Sequence, residues 1–149
     1  MNILMDRFLL VMSAVFLSTF VTAQKPEVFS PDGVALRGYD VVAFFTERKP
    51  VKGFDSLQVK RNETIWYFSS KQNLDSFKAD TARYIPQYGG YCAFGASRGY
   101  KAPTEIYTWT VIDNKLYFNY NAAVKQTWDK EPVMYIKLAD EKWPLFKLK

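Results

Sequence analysis

The sequence predicts an α+β fold, with two β-hairpins forming a small antiparallel sheet packed with short helices. Two observations predict it. Strand-like runs rich in β-branched and aromatic residues come in adjacent pairs joined by short polar turns, as in Thr64-Ile65-Trp66-Tyr67-Phe68 and Lys115-Leu116-Tyr117-Phe118-Asn119. Helical segments opened by Ser or Asn follow each pair instead of alternating with single strands, which argues against a parallel α/β sheet. The aromatic content of 17% lets a small domain bury a large area, since each ring removes on the order of 150–250 Å² from water.

The elements follow in order. Residues 1–23 read as an export signal: Arg7 supplies the positive flank, Phe8 to Val21 the apolar run, and Val21-Thr22-Ala23 the small residues before a cleavage point. An uncleaved anchor is the alternative, since the run is about long enough to span a membrane. Residues 24–149 then form one domain. Pro26, Pro31 and Asp32-Gly33 mark an irregular lead-in. Val41-Val42-Ala43-Phe44-Phe45 is a buried segment that periodicity alone assigns to neither strand nor helix. After a turn at Lys49 to Gly53, Ser56 to Lys60 pairs with Thr64 to Phe68 across Arg61-Asn62-Glu63. Ser69-Ser70 caps a helix from Lys71 to Ala79 with Leu74 and Phe77 on one face, and Asp80 to Pro86 is a connection. Gly89-Gly90 opens a short helix from Tyr91 to Ser97, closed by Gly99. A second hairpin turns at Asp113-Asn114. Asn119 or Asn121 caps a helix from Ala122 to Lys130, and a last helix begins near Pro132 and ends at Pro144. No internal repeat or low-complexity stretch is visible.

Composition removes many function classes. The chain has no histidine and one cysteine, Cys92. That excludes Ser-His triads, most zinc and haem sites, and any intramolecular disulfide. The net charge of +5 is spread over scattered Lys and Arg, without the run of like charges that a nucleic-acid tail needs. Beyond the signal the only soft donors are Cys92 and Met134, enough for at most a two-coordinate Cu(I) site. Cys92 has three readings: a small buried hydrophobe, a metal ligand, or a reactive thiolate favoured by a helix N-terminus. Gly89-Gly90 either admits a close ligand or serves a turn, and it lacks the Lys-Ser/Thr of a phosphate loop. Tyr39, Trp66, Tyr88, Tyr91, Trp109 and Tyr120 either line a pocket or fill the core. Asp40 sits beside the buried segment and bonds local backbone or acts as a base; Asp113 is a turn residue. Asn62-Glu63-Thr64 is a glycosylation acceptor pattern, relevant only in a host that glycosylates.

A family pattern also runs through the chain. Gly38-Tyr39-Asp40-Val41-Val42-Ala43-Phe44-Phe45, Pro50-Val51-Lys52-Gly53, Trp66-Tyr67-Phe68-Ser69-Ser70, Gln87-Tyr88-Gly89-Gly90-Tyr91-Cys92-Ala93, Trp109-Thr110-Val111, Lys115 to Asn121, Trp128 and Trp143-Pro144 occur in order. With these the chain resembles the exported proteins that carry a YHS domain, over nearly all of residues 24–149. The resemblance implies a fold related to heavy-metal or copper carriers, in which three cysteines bind the metal. Their places here are held by Ala43, Ser69 and Asn73, so the standard metal site is not inherited.

The expectation is an exported, periplasmic or secreted, non-enzymatic binding module for a soft metal ion such as copper, or for a small ligand. Its site is Tyr39, Asp40, Tyr88, Gly89, Gly90, Tyr91, Cys92 and Trp109, with Cys92 the one metal ligand. No nucleic acid and no membrane span after signal cleavage are expected. The alternative is a metal-free structural or protein-interaction domain that has lost the metal-binding cysteines.

Overall fold

A computed structural model describes residues 25–149; the expected export signal lies outside the described residues. No helix among the described residues is long and apolar enough to cross a membrane. The fold is α+β. The buried segment near Val41 resolves into one helical turn, α1 (Ala43–Thr46), at whose entry the Asp40 carboxylate accepts from the Val42 N–H at 2.9 Å and the Ala43 N–H at 3.4 Å. β1 (Phe54–Arg61) pairs antiparallel with β2 (Thr64–Phe68), Arg61 opposite Thr64. The loop is therefore Asn62-Glu63 alone, one residue shorter than expected. Both residues take left-handed φ, 47° and 61°, as a two-residue turn matching strand twist requires. Thr64, Trp66 and Phe68 face inward in strict alternation.

α2 (Lys71–Ala79) starts where Ser70 Oγ accepts from the Asn73 N–H. α3 (Thr81–Tyr84) is a single turn capped by Asp80, in a stretch the sequence reads as a connection. α4 (Ala93–Arg98) ends at Gly99 as expected, with φ 90°, and starts two residues later than expected. β3 (Thr110–Ile112) and β4 (Lys115–Tyr117) turn at Asp113-Asn114, both left-handed. α5 (Ala122–Trp128) is capped by Asn121. α6 (Pro132–Phe146) continues through Pro144, where the sequence predicts its end. The Trp143 ring packs edge-on against Phe146 at 5.2 Å and holds that last turn.

The hairpins do not join into one sheet; they stand as two separate two-stranded sheets. Each buries its apolar face against a helix. Trp66 and Phe68 pack on Phe77 of α2, both at 5.1 Å, and Phe118, just past β4, meets Phe44 of α1 at 5.4 Å. Val41, Val42, Phe44, Trp66, Phe68, Phe77, Leu116 and Phe118 form the main core. Tyr88, Ala93, Ala96, Tyr117, Trp128 and Ala139 form a second core under α6.

Candidate functional site

Asp40 is fully buried, yet among the described residues no Lys or Arg pairs with it. A buried carboxylate is costly unless donors satisfy it, and here five do. Oδ1 accepts from the N–H groups of Val42 (2.9 Å) and Ala43 (3.4 Å). Oδ2 accepts from the Ser69 N–H (2.8 Å), the Ser69 hydroxyl (2.7 Å) and the Asn73 side-chain amide (2.7 Å). α1 supplies the first pair. The end of β2 and the first turn of α2 supply the rest, so one carboxylate ties three elements together. Ser69 and Asn73 are missing from the expected site. They and Ala43 converge on one carboxylate, a fact that needed the third dimension.

Above this centre lies an open cleft of about 560 Å³, lined by Thr46, Glu47, Lys52, Phe54, Ser69 and Asn73 among others. Phe54 is 58% exposed beside it. The carboxylate is buried, and both of its oxygens accept hydrogen bonds from the chain itself. The Ser69 hydroxyl donates to it at 2.7 Å, and no histidine is present in the chain.

Cys92 lies 52 residues further on, buried at 1% exposure. It is the N-cap of α4, not a residue of its first turn: its Sγ accepts from the Gly95 N–H at 3.4 Å and its S–H donates to Asn119 Oδ1 at 3.6 Å. Burial pushes the thiol above its usual range, against the smaller opposing pull of backbone N–H groups from Gly95, Tyr120 and Phe94. Desolvation thus outweighs the helix-terminus effect that favours a thiolate. Met134, the other soft donor, is 42% exposed on α6. No cluster of three or more Cys, Asp or Glu suited to a metal is found among the described residues. A thiol reagent is expected to reach Cys92 only after denaturation, and raising the pH to about 8.5, the ordinary thiol midpoint, is expected to leave labelling slow. Fast labelling of native protein, followed by absorbance of the released reagent, contradicts this.

The remaining expected residues are not gathered in one pocket. Gly89 serves the chain's own backbone, and Gly90 packs against the side chains of Leu36 and Pro86. A Cβ on Gly89 would run into the Glu27 carbonyl, and the Phe29 N–H donates to the Gly89 carbonyl at 2.8 Å. An N-terminal strap, residues 25–29, occupies the space that a ligand would need. Lys101 fastens it, donating to the carbonyls of Lys25 (2.8 Å) and Pro26 (3.2 Å) and also to that of Lys147. Tyr91 donates its hydroxyl to the Pro26 carbonyl at 2.9 Å. No family model, curated protein or solved structure matches the chain. The site is therefore read from its own geometry.

Tyr88 donates to Asp140 Oδ1 at 2.9 Å, and burial together with that carboxylate raises its hydroxyl well above the ordinary tyrosine value. Tyr88 and Gly89 border a separate cleft of about 460 Å³ with Arg61, Asp140 and Trp143. Tyr39 lies under the Lys52 ammonium, 4.5 Å from its ring centre, and Trp109 packs on Phe44 at 5.6 Å. Trp66 is core.

Proposed function

We propose that this chain is a non-enzymatic binding or interaction module that works without a metal centre, and that the cleft above Asp40, Ser69 and Asn73 is the surface it presents. The observation that carries the reading is the Asp40 carboxylate with its five donors. The family resemblance puts three thiolate ligands at Ala43, Ser69 and Asn73. Hydrogen bonds to one carboxylate now make the cross-link between α1, β2 and α2 that a metal would otherwise make. Cys92 is buried and caps α4, and burial pushes its thiol upward, which favours a structural role over a copper ligand. Export to the periplasm or medium is part of the same proposal and rests on the signal-like residues 1–23.

Anything that binds the native state raises its unfolding midpoint. The reduced protein is expected to unfold at the same temperature in chelator, excess Zn(II) or excess Cu(I), measured by circular dichroism under argon. A copper-specific rise that disappears in C92S would instead support the soft-metal reading at Cys92.

A further inference from the structure

We propose that this protein is an internal duplication, two copies of one unit of about fifty residues, in which Cys92 and Asn119 are the counterparts of Asp40 and Ser69. The inference comes from backbone geometry and does not rest on the functional reading above. The element order repeats: a left-handed turn, a short helix, a hairpin and two helices (α1, β1, β2, α2, α3), then the same again (α4, β3, β4, α5, α6).

The two turns match residue for residue at an offset of 52 positions, Gly38 to Gly90, Tyr39 to Tyr91 and Asp40 to Cys92. Leu36, Arg37 and Gly38 have φ of 49°, 54° and 81°; Tyr88, Gly89 and Gly90 have 55°, 61° and 82°. Three consecutive left-handed residues are rare, since L-residues visit that region singly. Here the run occurs twice, each time just before Tyr and a capping residue.

The hydrogen bonds repeat with the same offset. The Tyr39 N–H donates to the Leu36 carbonyl and the Tyr91 N–H to the Tyr88 carbonyl, both at 3.0 Å. Arg48 N–H to Ala43 (3.1 Å) is matched by Tyr100 N–H to Gly95 (3.2 Å). Asp40 N–H to Val51 (2.8 Å) is matched by Cys92 N–H to Ala102 (3.0 Å), one residue shorter. The side chains hold the same places, with the donor reversed: Asp40 accepts from Ser69, and Cys92 donates to Asn119 Oδ1. Asp40 caps α1 and bonds Ser69, just after Tyr67-Phe68; Cys92 caps α4 and bonds Asn119, just after Tyr117-Phe118. Ser70 caps α2 as Asn121 caps α5.

The copies differ where their surroundings differ. α3 is four residues and α6 is fifteen. In the second copy α6 packs along α4, with Phe94 on Tyr135 at 5.2 Å and Lys142 donating to the Ser97 carbonyl at 2.8 Å. The second centre is sealed, Cys92 and Asn119 being 1% and 0% exposed, whereas Ser69 and Asn73 of the first centre line an open cleft. The C-terminal copy is the scaffold, and the N-terminal copy keeps the accessible face.

If the positions are equivalent, a carboxylate at 92 takes over the Gly95 N–H from Sγ. With the Asn119 amide turned over, it also gains the amide nitrogen, which has no partner among the described residues, and the Phe94 N–H that Asn119 Oδ1 releases. The test is thermal unfolding of full-length C92D against C92A, with C92S as comparator should the alanine variant fail to fold. The expected result is a C92D midpoint at or above the comparator's. A midpoint below it, as a buried charge without partners would give, overturns the proposal. The second arm is N119A in both backgrounds. It is expected to lower the C92D midpoint more than the wild-type one, and an equal or smaller loss in C92D overturns the equivalence.

Discussion

Asp40→Ala is expected to destabilise the protein by about 3–5 kcal/mol in urea unfolding at neutral pH, because each donor left unpaired in a buried setting costs roughly 1–3 kcal/mol. Five donors lose their acceptor at once, and water reaches only those of Ser69 and Asn73, which border the cleft. Asp40→Asn tests the same centre more finely. It keeps an acceptor for the Val42 N–H, but its amide NH₂ meets the donors of Ser69 and Asn73 head-on. It is expected to fall between alanine and wild type. A loss below about 1 kcal/mol for Asp40→Ala would mean that the carboxylate does not hold α1, β2 and α2 together.

Gly89→Ala is the second large effect, roughly 2–4 kcal/mol from a left-handed backbone and a displaced neighbour together. The residue has φ 61°, and its missing Cβ is the space that the Glu27 carbonyl fills. The strap of residues 25–29 must lift, breaking the Phe29-to-Gly89 bond and pulling on the Lys101 clamp. Limited proteolysis with chymotrypsin reads this directly, with early cleavage after Phe29 in the variant and protection in the wild type. Equal protection in both would show that the strap does not depend on this glycine.

The hairpins and capped helices were legible in the sequence because their signals are local. Asp113-Asn114 forms its left-handed turn between two short strands, and Ser70 and Asn121 cap the helices that follow the first and second hairpins. The single-turn helices α1 and α3 were not legible, since four residues carry no periodicity. Two hairpins in sequence say nothing of whether they share an edge, and packing on Phe77 and Phe44 decided that they do not. At the candidate site Asp40 was named, but its partners Ser69 and Asn73 lie 29 and 33 residues away. Gly89-Gly90 was read as admitting a ligand, and at Gly89 the chain's own Glu27 carbonyl takes that space. The duplication was hidden because shape outlived side chains: only Gly-Tyr and Tyr-Phe are shared at the turns and strand ends.

We propose that hydrogen bonds to Asp40, and no bound metal, tie α1, β2 and α2 together. Anaerobic titration of the reduced protein with Cu(I) against a competing chelator tests it most directly, with C92S and D40A alongside. The account predicts that the chelator keeps the copper in all three, with no stoichiometric transfer to protein. Tight one-to-one transfer to the wild type, lost in either variant, would contradict it.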